Sequence, residues 1–346
     1  MKGKINFNVK VNVKVLLIVL LVASLVAGCA NNRAATTTTA ESAEDRKFLV
    51  GFAQVGSETE WRIAMSKEVQ DTFSVSDRFE LIFSDAQQKQ ENQIAAMRSF
   101  IQRKVDAILF SPIVATGWDA VLTEAKDAGI PVLCVNRRFE LTVGNVEDYT
   151  LCYIGPDNIY AGELCAQTMI DQFKDDAGPI NVVLLEGTVG SSASIDRATG
   201  IENVLSKQDK LQVYTAQSGD FNRSKAKEVM ESIIKMAQAD GTRIDAVIGH
   251  ADDMNIGASQ ALEEAGLKPG TDVKLVGVDG VKVAFEAMAE GRYNATVENP
   301  LGYGDVTIKI LTDYFDNGTK PETWVKLYNT VYTQDQAAEL LPSRTF

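Results

Sequence analysis

The sequence predicts an α/β protein built as two parallel-sheet lobes, and three observations carry that prediction. Short apolar runs alternate with longer helical stretches from residue 48 to residue 315, the pattern of βαβ units. The chain has 346 residues, 45% hydrophobic and 23% charged, an ordinary globular composition in a length that suits two lobes of typical domain size. Most of the apolar runs end in a polar cluster where the chain leaves the strand. In a parallel sheet those ends gather along one edge, so two such edges facing each other would enclose a polar cleft.

The elements follow in order. Lys2, Lys4, Lys10 and Lys14 precede an apolar run over 15–26. That run is shorter than the roughly 20 residues a membrane-spanning helix needs, and it reads as the core of a secretory signal. Val26-Ala27-Gly28-Cys29 comes directly after it and resembles the lipobox of bacterial lipoproteins, which makes Cys29 the expected lipidation site. Residues 31–45, with Thr36-Thr37-Thr38-Thr39, show no periodicity and read as a flexible tether.

The first strand is expected over 48–52. Ser57-Glu58-Thr59-Glu60 then fits a capping box that opens a helix, with Trp61 and Arg62 in its first turns. An aromatic face beside a guanidinium at the carboxyl end of a sheet suits a polar, hydroxyl-rich small molecule. Core packing of Trp61 with Met65 and Val69 at helical spacing is the open alternative. Further strands are expected over 81–83, 107–110, 132–135, 182–185, 212–216, 246–248, 274–278 and 295–297. Helices are expected over 89–104, 118–128, 159–173, 194–205, 224–237, 255–265, 281–290 and 306–315. The clearest is 89–104, whose Ile94, Met97, Phe100 and Ile101 share one face. Asp127-Ala128-Gly129-Ile130-Pro131 ends a helix with glycine and starts a strand with proline, and Gly266-Leu267-Lys268-Pro269-Gly270 does the same later.

The polar clusters at strand ends are the candidate site. They are Asn136-Arg137-Arg138, Glu186-Gly187-Thr188-Val189-Gly190, Gln217-Ser218-Gly219-Asp220-Phe221, Gly249-His250-Ala251-Asp252-Asp253, Asp279-Gly280 and Glu298-Asn299-Pro300. Chemistry is hard to find in them. His250 is the only histidine, so a multi-histidine metal site is impossible, and it is expected to be structural or at a lobe edge. No Gly-x-Ser-x-Gly elbow is present, and Gly187-Thr188-Val189-Gly190-Ser191-Ser192 lacks the lysine of a P-loop. No cofactor or metal is expected, and the chain reads as a binder and not an enzyme. The net charge of −13 disfavours nucleic acid as a partner, because phosphate binding needs Lys and Arg. Cys134, Cys152 and Cys165 are expected as buried free thiols, with a Cys134–Cys152 bridge open if their segments are neighbouring strands.

From about Val50 to Tyr332 the chain resembles the sugar-binding proteins of bacterial ABC importers, the ribose- and galactose-type periplasmic proteins. The stretches that carry this are Gln54-Val55-Gly56-Ser57-Glu58 with Trp61-Arg62, Asp85-Ala86-Gln87-Gln88-Lys89-Gln90-Glu91-Asn92-Gln93-Ile94, and Pro112-Ile113-Val114-Ala115-Thr116-Gly117-Trp118. Further on come Glu186-Gly187-Thr188-Val189-Gly190, Ile195-Asp196-Arg197, Ser218-Gly219-Asp220-Phe221-Asn222-Arg223-Ser224-Lys225 and Asp252-Asp253-Met254. The resemblance implies a type I periplasmic binding protein, two doubly wound Rossmann-like lobes joined by a hinge. Together with the N-terminal reading above, a signal peptide over 1–28 and a lipidated cysteine and tether over 29–46, the expected plan is a first lobe of 47–156 plus 299–332 and a second of 157–298 plus 333–346. The resemblance implies a monosaccharide ligand held by Glu58, Trp61, Arg62, Asn136, Arg137, Arg197, Phe221, Asp252, Asp279 and Glu298. It also implies a monomer, lipid-anchored outside the cytoplasm, that hands the sugar to an ABC permease, or alternatively presents its closed form to a membrane receptor or kinase. The chain departs from the family where Asn136 replaces an aspartate and Ala251 an asparagine, both places where sugar hydroxyls would be read.

Overall fold

The structure, a computed structural model, describes residues 46–346. The expected signal segment, Cys29 and the tether up to residue 45 lie outside the described residues. Residues 47–346 form one compact unit that contains two six-stranded sheets and the cores that cover them.

The first sheet is built from β1 (Phe48–Gln54), β2 (Phe79–Asp85), β3 (Ala107–Phe110), β4 (Val132–Val135), β5 (Cys152–Gly155) and the late strand β11 (Trp324–Lys326). Its order is β11-β5-β4-β3-β1-β2, with every neighbour parallel. The first five strands follow the 2-1-3-4-5 order of doubly wound folds, which places a ligand crevice where the winding reverses between β1 and β3. Helix α1 (Glu60–Ser74) covers one face through Trp61, Met65, Val69 and Phe73. Helices α2 (Gln90–Gln102) and α3 (Asp119–Asp127) cover the other through Met97, Phe100, Val121 and Leu122.

The second sheet repeats the plan. It contains β6 (Ile180–Glu186), β7 (Leu211–Ser218), β8 (Ala246–Gly249), β9 (Lys274–Asp279), β10 (Ala295–Glu298) and β12 (Val331–Thr333), in the order β12-β10-β9-β8-β6-β7. Helix α4 (Asn158–Gln172) leads into it, and α5 (Ser192–Leu205), α6 (Arg223–Asp240), α7 (Asp252–Glu264) and α8 (Lys282–Ala289) lie between its strands in sequence. Helix α9 (Tyr303–Asn317) returns to pack against α1, and α10 (Gln334–Leu340) packs against α8. The chain therefore passes between the sheets three times, after β5, after β10 and between β11 and β12.

The α/β alternation expected from the sequence is present, and the structure corrects three details and closes one open alternative. The first helix starts at Glu60 and is capped by Thr59, whose Oγ1 accepts from the Arg62 amide at 3.0 Å; the expected Ser57–Glu60 box does not form, and Ser57 donates to Asp85 instead. Val331 and Tyr332, expected in the first lobe, pair antiparallel with Val297 and Thr296 in the second. Strands β11 and β12 were not expected; three residues each give no readable alternation. The Cys134–Cys152 bridge is excluded by register. Strands β4 and β5 are neighbours, but Cys134 lies opposite Tyr153 and Cys152 opposite Leu133. One residue out of step puts the two thiols on opposite faces of the sheet, and all three described cysteines are free and buried.

Candidate functional site

The strand ends of the two sheets meet around a narrow space lined by Glu58, Thr59, Trp61, Arg62, Asn136, Arg137, Ala193, Arg197, Phe221, Asp279 and Asn299. Eight of the ten residues expected to bind the ligand are in that lining.

The floor on the first-lobe side is a fork of charges. The loop after β1 carries Glu58, whose Oε1 accepts from Arg62 Nε at 3.1 Å and from Arg137 Nη2 at 3.2 Å. Burial pushes the Glu58 carboxyl up, but the two guanidinium groups outweigh it and hold it below its usual range. Arg62 also donates from Nη2 to Asn136 Oδ1 at 2.9 Å, and its Nη1 lies 3.4 Å from Ser111 Oγ and 3.5 Å from Gln54 Oε1. Asn136 sits just past β4 at φ +63°, a left-handed conformation that asparagine tolerates better than most residues. Its Nδ2 donates to the Tyr303 hydroxyl at 3.3 Å. Arg137 donates from Nη1 to the Ile113 carbonyl at 3.2 Å, while its Nε is buried without a partner. Burial and the nearby Arg62 pull Arg137 down to about 9.

The second lobe closes the space from above. Arg197 projects from α5, donates from Nε to Asn158 Oδ1 at 3.1 Å, and bonds the His250 carbonyl through Nη1. Phe221, at φ +52° after β7, lies between Arg137 of one lobe and Arg197 of the other, 5.1 and 5.9 Å from its ring centre. The ring lies against Gly187, where any Cβ would stand 2.0 Å from it. His250 is fully buried, with Nδ1 3.3 Å from the Gly187 amide and 3.3 Å from Ser194 Oγ. Burial and Arg197 lower it to about 3, so it is neutral and holds the loop after β6 in place.

Asp279 ends β9 with φ +129°, a conformation sparsely used by residues with a Cβ. Its carboxylate is 3% exposed and has one long hydrogen bond, from Asn299 Nδ2 at 3.4 Å. Burial pushes it up to about 8, Arg197 pulls it down, and Asp252 and Asp253 push it up again. Asn299, on the crossing after β10, was missed as a site residue. Its carbonyl accepts from Trp61 Nε1 at 2.6 Å, and its Oδ1 is buried without a partner. Trp61 therefore serves both roles weighed for it: it is 2% exposed and packs edge-on to Tyr303, yet it also lines the space.

Two expected ligand residues stand elsewhere. Asp252 is fully spent: Tyr293 OH donates to Oδ1 at 2.7 Å, Thr296 Oγ1 bonds both oxygens, and the Gly280 and Val281 amides donate to Oδ2 at 2.8 and 3.3 Å. It fixes the turn that presents Asp279. Glu298 binds Arg344 at 2.6 Å and Tyr332 at 3.3 Å, tying the second crossing to the chain's last residues. Ala251 is fully buried before α7 and does not reach the space.

Unmatched atoms define what fits here. Glu58 Oε2 and Asn299 Oδ1 are buried acceptors with no donor, the Asp279 carboxyl has only its long bond from Asn299, and Arg137 Nε is a buried donor without a partner. The complement is a small molecule rich in O–H donors, with apolar faces for Trp61 and Phe221.

Two doubly wound lobes, three crossings and a polar cleft between strand ends define a two-lobed solute-binding protein of the type I periplasmic fold. The chain belongs to the periplasmic binding protein domain family, whose model matches residues 50–320. It is 43% identical over 299 residues to the galactofuranose-binding protein YtfQ of Escherichia coli K12, covering 86% of this chain and 91% of that one. It is also similar to the solved binding protein of the arabinose ABC transporter from Shewanella sp. ANA-3, bound to α- and β-L-arabinofuranose. That match has a TM-score of 0.81 and 41% identity, over 86% of this chain and 95% of that one. A Mycobacterium smegmatis protein in complex with β-D-fucofuranose matches with a TM-score of 0.80 and 40% identity, over 85% and 94%.

Proposed function

We propose that this protein binds a monosaccharide, galactofuranose or a related five-membered-ring sugar, by closing its lobes and delivers it to an ABC importer. The observation that carries the reading is the pair of unmatched acceptors Glu58 Oε2 and Asn299 Oδ1, with the weakly bonded Asp279 carboxyl, in a space that Trp61 and Phe221 also line. Sugar hydroxyls donate to those acceptors, Arg197 and Arg137 donate to ring and hydroxyl oxygens, and Trp61 and Phe221 cover the C–H faces. Similar proteins that carry furanoses in their solved structures support the ring form. The cleft supplies hydrogen bonds but no arranged nucleophile or base, which fits relatives that are binding proteins and not enzymes. Anchoring through a lipid on Cys29 would hold the protein at the outer face of the membrane, beside its permease.

The test is a thermal-shift screen of residues 46–346 against pentoses, hexoses and furanosides, since a ligand of the native state raises the melting temperature. A furanose-forming sugar is expected to give the largest shift, and Arg197→Ala to abolish it. An amino acid or nucleoside that shifts the protein while no sugar does would overturn the proposal. The contact between Gly187 and Phe221 gives a second prediction. Gly187→Ala pushes the ring out of line, and sugar affinity measured by calorimetry is expected to fall about tenfold.

A further inference from the structure

Away from the cleft lining, the lobes are tied together at two places by charged and polar contacts. At the β1 end, the Glu60 amide of the first lobe donates to Asp253 Oδ2 of the second at 2.8 Å. Arg223, the first residue of α6, bonds Glu60 Oε1 at 2.7 Å and Asp253 Oδ1 at 2.5 Å, so one guanidinium bridges both lobes. At the β3–β4 end, Arg138 grips both oxygens of Asp196 at 2.7 Å, and its amide donates to Ser192 Oγ at 2.7 Å. Beside it the Ala115 amide donates to the Gly190 carbonyl at 2.8 Å.

None of Glu60, Arg223, Asp253, Arg138 or Asp196 lines the ligand space. They therefore hold the lobes together without touching what fills the cleft. Several are also wet: the side chains of Arg138, Arg223 and Glu60 are 51%, 34% and 41% exposed. Ion pairs of this kind are weak singly and are screened by salt.

We propose that Arg223 and Arg138 form a two-point ionic latch that closes the lobes before the sugar arrives and slows their reopening afterwards. The inference rests on the closure step of the proposed function but not on the identity of the sugar. It has a consequence that cleft contacts alone do not: affinity for an uncharged sugar depends on ionic strength, because closure forms charge pairs that the sugar never touches.

The experiment has two arms on residues 46–346. In the first, small-angle X-ray scattering is measured on sugar-free protein in 20 mM and 500 mM sodium chloride. The wild type is expected to be compact at low salt and to expand at high salt, and the Arg138→Ala/Arg223→Ala double variant to be expanded in both. In the second, release of D-galactose or L-arabinose, whichever binds, is followed by stopped-flow tryptophan fluorescence. The double variant is expected to release it about tenfold faster, with the ranking of sugars unchanged. Glu60→Gln, which removes one charge and keeps the shape, is expected to show a smaller effect of the same sign. Sugar-free wild type as expanded at low salt as the double variant overturns the latch, and so does release that ignores both salt and substitution. Failure of every sugar to bind would overturn the proposed function and leave the scattering arm to decide the latch.

Discussion

Asp279→Asn is expected to make the sugar-free protein more stable at pH 8 and to cost it about 100-fold or more in sugar affinity. Both effects come from one buried carboxylate. Burial pushes Asp279 up to about 8, far above the roughly 3.9 of an unfolded aspartate. A carboxyl whose folded pKa is raised favours folding fully below about 4 and loses that contribution as pH rises through about 8. The melting temperature of the wild type is therefore expected to fall between pH 5 and pH 9. Asp252, raised to about 7 by burial with its hydrogen bonds offsetting part of the shift, contributes to the same decline. Asp279→Asn removes its own share of that slope, leaving that of Asp252. The affinity loss applies above pH 8, where Asp279 is charged, because hydroxyl hydrogen bonds to a charged group are worth roughly 1.5–3 kcal/mol each, and two such bonds reach a factor of 100. Calorimetry and melting curves across pH check both halves. Affinity within threefold of wild type would remove Asp279 from the ligand contacts. An unchanged pH slope would mean its carboxylate is already satisfied.

Trade-offs of this kind help explain which parts of the site could be read from the sequence. A strand followed by a short loop and a helix puts side chains at the sheet's carboxyl edge, so Glu58, Trp61 and Arg62 after β1 were legible, as were Asn136 and Arg137 after β4. Arg197 and Phe221 were legible through the longer run of resembling stretches. Asp252 and Glu298 misled because a carboxylate's partner is set by tertiary register. Thr296 faces Asp252 only because β10 pairs with β9, and Arg344 reaches Glu298 from 46 residues away. Asn299 was visible only as a member of a strand-end polar cluster: what singles it out is the Trp61 indole that meets its carbonyl across 238 residues. The departures at Asn136 and Ala251 also divide. Asn136 lines the cleft, but its amide is committed to Arg62 and Tyr303, while Ala251 lies outside it. If the cleft takes a sugar as proposed, discrimination is expected to fall more heavily on Asp279, Glu58 and Asn299 than on either substituted position.

Arg62→Met is the second large effect, expected to destabilise the sugar-free protein by about 3–5 kcal/mol. The guanidinium is the one cation that ties Glu58, Asn136, Gln54 and Ser111 together, and the side chains of all four are buried. Methionine keeps much of the length and removes every donor. Glu58 is then left with Arg137 alone, and Asn136 Oδ1 loses its partner in a site that water does not freely enter. Lysine is not expected to rescue the fold, because a single ammonium cannot reach acceptors spread around a planar fork. The decisive comparison is Arg62→Met/Glu58→Gln. If the cost is a carboxylate left half-paired with Arg137, removing that charge as well restores part of the stability, and denaturant titration will show the double variant more stable than Arg62→Met. Strict additivity, with the double variant losing the sum of the two single losses, would mean the two side chains act separately. A loss below about 1 kcal/mol for Arg62→Met would place Arg62 among surface-like pairs. The same fork that holds the first lobe's loops together would then not be what aims Glu58 Oε2 and Arg137 at the sugar.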